Sequence, residues 1–142
     1  GNLKKNAQVG EGVIHGDLFH DNALFSGQTL TGIIDFYSAS MDQLLLDLAI
    51  VVNDWCSEAN GSLDDTKYQA LVSAYQKVRP FNAAEKTAWP NFLCAAALRF
   101  WLSRLQVAAH NRDNPSQPWE NKDPNEYKNI LLARRAVPAT VV

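Results

Sequence analysis

His15-Gly16-Asp17-Leu18-Phe19-His20-Asp21-Asn22, followed after a turn by Ile33-Ile34-Asp35-Phe36, constrains this chain more than any other stretch. It sets a carboxylate at Asp17, an amide five residues on at Asn22, and a second carboxylate thirteen beyond that at Asp35. These residue types match the needs of phosphoryl transfer to a hydroxyl. The hydroxyl needs a carboxylate to accept its proton, while a triphosphate arrives with magnesium, which takes hard oxygen ligands. Asp17 suits the first task; the side-chain carbonyl of Asn22 and the carboxylate of Asp35 suit the second. Because every candidate ligand is an oxygen donor, magnesium is favoured over zinc. Asn22 to Phe25 and Leu30 to Phe36 read as a hairpin across Ser26-Gly27-Gln28-Thr29, with Gly27 supplying the turn. That hairpin would return Asp35 toward Asn22, so that both reach one metal.

The rest of the chain fits a single helical domain. Its 142 residues suffice for one core, and an apolar fraction of 46% with four Trp and six Phe argues against disorder. A net charge of −2 with scattered basic residues gives no support for nucleic-acid or anionic-membrane partners. No signal peptide and no apolar run long enough to span a bilayer is expected, and the default compartment is the cytoplasm. Cys56 and Cys94 lack metal-ligand or C-x-x-C spacing and read as buried apolar residues, with a disulfide left open.

Residues 1–11 are polar and read as a ragged lead-in, with Glu11 to Ile14 a short strand into the loop. Gln43 to Trp55 is apolar all round and predicts a buried helix. Leu63 to Val78 predicts an amphipathic helix with Tyr68, Leu71, Val72 and Tyr75 inward, ending at Pro80. Asn82 and Glu85 form a capping-box pair for a helix carrying Trp89, Leu93, Ala96, Ala97, Phe100 and Trp101, which Pro90 should kink or restart. His110 to Asn121 reads as a polar loop. Asp123, Pro124 and Glu126 open a last helix with Tyr127, Ile130 and Leu131 inward, and a loose tail is expected from Val137.

Beyond the loop, Gly32 to Tyr37, Asp47-Leu48-Ala49-Ile50, Asn53-Asp54-Trp55-Cys56, Leu98 to Leu105 and Lys122-Asp123-Pro124 resemble the bacterial homoserine kinases. These belong to the aminoglycoside-phosphotransferase and choline-kinase superfamily, not to the homoserine kinases related to galactokinase. The resemblance runs from about Gly12 to about Arg135. It implies an α+β, mostly helical fold corresponding to the carboxy-terminal, catalytic lobe of the protein-kinase-like fold. The amino-terminal lobe, with its glycine-containing phosphate loop, strand lysine and partner glutamate, has no counterpart. The implied organisation is a lobe over 12–137, with the catalytic loop at 15–22, the metal-binding hairpin end at 33–37, a helical subdomain at 43–136 and a tail at 138–142. The implied reaction is ATP- and Mg2+-dependent phosphorylation of L-homoserine for threonine biosynthesis, with the isolated lobe inactive.

The resemblance also assigns roles. His15 would brace the loop, and Asp47 would reach back to it from an otherwise apolar helix, where an unpaired carboxylate is costly. From their positions alone, His20 and Asp21 read as exposed loop residues that could face substrate, and Tyr37 could shape the pocket. Arg99 and Arg104 read as arginines flanking a packed face, one of which could fork onto the substrate carboxylate. Trp55 and Trp101 read as core rather than as a substrate platform. A protein kinase is disfavoured: Gly16 stands where that family has arginine, Tyr37 where it has glycine, and only residues 36–42 separate Asp35 from the next helix. The alternatives are a choline, methylthioribose or aminoglycoside kinase and, from another class, a non-catalytic binding module derived from a kinase lobe.

Overall fold

The computed structural model describes residues 8–142, an α+β arrangement dominated by helix. Strand β1 (Glu11–Ile14) runs antiparallel to β4 (Ser40–Gln43), with Val13 opposite Met41 and Ile14 opposite Ser40. Between them come the loop, a 3-10 turn at His20–Asn22, and the hairpin of β2 (Ala23–Ser26) and β3 (Thr29–Ile33). Gly27 turns the hairpin with φ 59°, a conformation open to glycine at little cost. The strand expected to reach Phe36 stops at Ile33, because Asp35 adopts φ 62° and leaves the extended region a ladder requires. β4 is absent from the sequence reading; Ser-Met-Asp-Gln lacks β-branched residues and becomes a strand by pairing with β1.

Four helices stand behind these ribbons: α1 (Leu44–Trp55), α2 (Asp65–Val78), α3 (Ala83–Asp113) and α4 (Pro124–Ala136). α1 has no side-chain cap; instead the Leu44 N–H donates to the Gly10 carbonyl at 2.9 Å, which locks the helix start onto the incoming strand. α2 starts later than the apolar pattern suggests, at the Asp64 cap that accepts from the Lys67 N–H. α3 carries the full Asn82–Glu85 capping box and runs through Pro90 without a fresh start. It continues to Asp113, so the loop expected from His110 begins four residues later, at Asn114. α1 and α3 pack through Leu45, Ala49, Val52, Trp89, Leu93 and Ala96, while α4 closes on Ala97 with Tyr127, Ile130 and Leu131. Cys56 and Cys94 are free thiols.

Three expectations need correction. Residues 1–7 of the lead-in lie outside the described residues, but Gln8 to Gly10 are docked: Val9 packs on the core and the Gly10 N–H donates to Glu85 at 2.9 Å. The tail is docked too, since Ala139 is buried and the Thr140 carbonyl accepts from the Tyr68 hydroxyl at 2.9 Å. Finally, α3 is long and apolar enough to cross a bilayer by length and composition, which the sequence reading had excluded. Here it lays one face on α1 and α4.

Two buried charges tie these parts together. Arg134, 2% exposed, has no carboxylate partner among the described residues and donates instead to Asn53 Oδ1, the Gly61 carbonyl and Ser57 Oγ. Burial pulls its guanidinium below the usual arginine range. Arg134→Leu would leave neutral buried acceptors without donors, so a loss of about 2–5 kcal/mol is expected in urea unfolding. A change within experimental error would show that the network does not hold α4.

Glu85 behaves in the opposite sense. Burial alone would raise its carboxyl, but Arg79 and the N–H groups of Gly10 and Asn82 outweigh this and hold it below the usual glutamate value. A depressed folded value means that this stabilisation is complete above the unfolded pKa of about 4.3 and fades as pH falls through the folded value. Acid unfolding followed by circular dichroism is therefore expected to begin below about pH 4, with a shallower pH dependence in Glu85→Gln. Equal slopes in the two proteins would assign the acid sensitivity elsewhere.

Candidate active site

The loop between β1 and the hairpin is held from behind by α1. Asp47, in the first turn of that helix, accepts the His15 N–H on one carboxylate oxygen and the Gly16 N–H on the other, both at 2.9 Å. Two successive backbone donors on one carboxylate fix the loop's entry angle. Gly16 makes the turn possible: its φ is 83°, and a Cβ there would sit 2.8 Å from the Ser38 carbonyl. No side chain fits.

His15 links the loop to the hairpin end. Its Nδ1 accepts the Asp17 N–H at 3.1 Å, which leaves Nε2–H to donate to the Ile34 carbonyl at 2.7 Å. These partners assign the neutral Nε2–H tautomer. Phe36 packs on the imidazole, ring centroids 4.8 Å apart. One side chain thus sets the spacing between the Asp17 and Asp35 segments.

Asn22 and Asp35 meet through a second link, the Ile34 N–H donating to the Asn22 carbonyl at 2.9 Å. The Asn22 side-chain amide donates to the Asp17 carbonyl at 2.8 Å, so its Oδ1 points away from that bond. Among the described residues neither Asn22 Oδ1 nor the Asp35 carboxylate has a protein partner. Asp35 is the only non-glycine residue with positive φ among those described, and strain of this kind costs of order 1–3 kcal/mol. No cluster of three His, Cys, Asp or Glu side chains stands together among the described residues. Two oxygen donors fit magnesium, which characteristically takes one or two protein ligands and completes its shell with phosphates and water.

Asp17 is partly buried. Burial and the charge of Asp35 push its carboxyl above the usual aspartate value, against His15, Arg99 and Lys122, which pull it down. A more basic carboxylate is a better proton acceptor. Its backbone, not its carboxylate, carries the loop bonds to His15 and Asn22.

The other residues suggested by the sequence divide. His20 is turned to α1: Asp54 accepts both its backbone N–H and its ring Nδ1–H at 2.7 Å, raising the imidazole above the usual histidine value. Asp21 pairs with the outer face of the same ring at 3.0 Å and is exposed. Tyr37 is 97% exposed and stands outside the pocket beside Asp17. Arg99 lies exposed over Phe100, 5.1 Å from the ring centroid. Arg104 is 12% exposed; its Nη1 donates to the Asp123 carbonyl and to Glu126, tying α3 to the start of α4. Trp55 packs partly on the core and offers its indole N–H to the Leu18 carbonyl at 3.4 Å, while Trp101 packs against α4.

Asp54 and Lys122 each fall in a segment that carries the resemblance, but neither has a role of its own in the sequence pattern. Asp54 lies seven residues after Asp47 on α1, two turns along the same face, a spacing that could have flagged it. Lys122 sits in an irregular segment with no periodic signal; its Nζ is 5.7 Å from the Phe19 ring centroid. Phe19 meets Phe100 and Tyr127 edge-on and anchors the loop in the α3–α4 groove. Beside Asp17 opens a pocket of about 190 Å³ that includes Phe19, Phe100, Arg104, Glu120 and Lys122. A larger cavity of about 410 Å³, between α2, the end of α4 and the tail, shares no residue with the loop.

A model of the phosphotransferase enzyme family matches residues 2–81, which carry the loop, both ribbons, α1 and α2. The chain belongs to the phosphotransferase enzyme family. Its relatives include the homoserine kinase of Pseudomonas aeruginosa (strain UCBPP-PA14), 55% identical over 87% of this chain and 38% of that protein. The homoserine kinase of Janthinobacterium sp. (strain Marseille) is 47% identical over 89% of this chain and 39% of its own length. That of Methylobacillus flagellatus is 53% identical over 84% and 37%. The chain spans about two fifths of the length of these curated phosphotransferase relatives.

Proposed function

We propose that the chain is the catalytic-lobe portion of a homoserine kinase, a cytoplasmic enzyme that transfers the γ-phosphate of ATP to the hydroxyl of L-homoserine and gives O-phospho-L-homoserine for threonine biosynthesis. The observation that carries the reaction type is the junction at the loop. Asn22 and Asp35 are joined by backbone while their side-chain oxygens lack protein partners among the described residues, and Asp17 lies beside them. The acceptor is supported by the homoserine-kinase relatives.

In this reading Asp17 orients the substrate hydroxyl and takes its proton as the oxygen attacks phosphorus. Asn22 and Asp35 would hold magnesium, which when bound would neutralise charge on the phosphates. His15 and Asp47 touch no reacting atom; they keep the two carboxylate segments in register. Catalysis is then mostly positioning plus charge compensation. The amino-terminal lobe would cover the nucleotide. Val13, Met41, Phe36 and Tyr37, all more than half exposed around the loop, support such a cover. Without it the isolated chain is expected not to turn over.

The test is ADP release by the full-length protein with Mg2+ and ATP across L-homoserine, choline, methylthioribose and an aminoglycoside. Turnover confined to homoserine is expected. Turnover only on another alcohol would move the substrate, and none at all by folded protein would favour a binding module.

A further inference from the structure

The pocket beside Asp17 has walls of both charges. Lys122 and Arg104 contribute cations, Glu120 and Asp17 anions, and the rings of Phe19 and Phe100 lie between them. Its volume of about 190 Å³ falls below the roughly 300 Å³ at which sites for drug-sized ligands begin, so it suits a small acceptor.

The segment bearing Glu120 and Lys122 is irregular but pinned on both sides. Upstream, the Asn111 side chain accepts the Trp119 N–H at 2.7 Å and donates to the Trp119 carbonyl at 3.0 Å. The Trp119 ring stacks on His110, centroids 3.5 Å apart. Downstream, Arg104 holds the Asp123 carbonyl at 2.9 Å. A long side chain rooted in a fixed backbone loses less freedom on binding than one on a free loop.

The two cations differ in what they can offer. Arg104 already serves Asp123 and Glu126 and lies over the Tyr127 ring at 4.5 Å. Lys122 has no hydrogen bond or ion pair to a protein oxygen among the described residues, and Glu120 likewise has no cationic partner there. Both stand in the wall that contains the proton-accepting carboxylate.

We propose that Lys122 binds the carboxylate of the acceptor and Glu120 its ammonium group, so that the pocket selects a zwitterionic amino-acid alcohol. This rests on the homoserine-kinase reading above. An alcohol bearing only a fixed cation gains nothing from Lys122 and is repelled by it.

The experiment compares full-length wild type, Lys122→Met, Lys122→Arg and Glu120→Gln on three acceptors: L-homoserine, 3-aminopropan-1-ol, which lacks the carboxylate, and 4-hydroxybutanoate, which lacks the ammonium group. Each is read as KM, or as a competitive inhibition constant where turnover is too slow. In Lys122→Met the constant for homoserine is expected to rise roughly tenfold to a hundredfold, the scale of a lost charge-assisted bond. The constant for ATP should hold, that for 3-aminopropan-1-ol should hold or fall as the repulsion by Lys122 is removed, and Lys122→Arg should restore most of the loss for homoserine. Glu120→Gln should weaken homoserine and spare 4-hydroxybutanoate. Wild-type turnover of homoserine with all acceptors weakened alike, or with none weakened, overturns this assignment alone. Absence of homoserine turnover by wild type overturns the underlying function with it.

Discussion

Asp17→Asn in the full-length protein is expected to lower kcat by about 10²–10⁴-fold, the usual contribution of a general base, while the KM for ATP stays near its wild-type value. The reason lies in how the loop is built. Asp17 contributes its backbone N–H to His15 and its carbonyl to Asn22, and no described bond to its carboxylate holds the fold. An amide of the same shape therefore leaves the frame in place and removes only the capacity to accept a proton. The raised carboxyl of Asp17 points the same way, since burial and the nearby Asp35 charge both favour proton uptake. Rapid-mix measurement of the phosphoryl-transfer step, with thermal unfolding as the folding control, separates chemistry from product release. A variant keeping a tenth or more of wild-type kcat would remove Asp17 from the role of base.

Asp47→Ala should damage both stability and turnover. His15 and Gly16 are buried, and their N–H groups donate to Asp47. Truncation leaves both donors unsatisfied, at about 1–3 kcal/mol each. The unfolding midpoint should fall accordingly. The loop, freed from α1, should lose about 10²-fold in kcat, the scale of a small misplacement of a reacting group. Asp47→Asn keeps one acceptor oxygen and should lie between wild type and Ala on both axes. Full activity in a destabilised Ala variant would confine Asp47 to folding.

The parts of this molecule legible in the sequence are those written in local chemistry. The Asn82–Glu85 box, the Asp123-Pro124 start of α4 and the inward faces of α1 and α3 follow from spacing, and the structure contains each. The loop residues Asp17, Asn22 and Asp35, separated along the chain, are brought together by the hairpin and by His15. What was not legible depends on distant partners. β4 is a strand because β1 lies beside it, and the tail is ordered because Tyr68 reaches it. Arg134 reads as one of two adjacent arginines in the last turn of a helix, where a solvated cation is ordinary, yet the side chains of Asn53 and Ser57 hold it inside. Lys122 acquires a place in the pocket only because Asn111 and Arg104 pin the segment around it. Glu85 reads as a cap alone, and its burial against Gly10 and Arg79 needed the fold.

If Asp17 serves the acceptor hydroxyl and the Asn22–Asp35 pair the metal, Mn2+ binding in the presence of ATP, followed by electron paramagnetic resonance, separates the two roles. Full-length wild type, Asp17→Asn and Asp35→Asn would be titrated side by side. Asp17→Asn should bind the metal–nucleotide pair as wild type does, and Asp35→Asn should bind it more than about tenfold more weakly. Equal affinity in all three proteins, or an equal loss in both variants, would contradict the account.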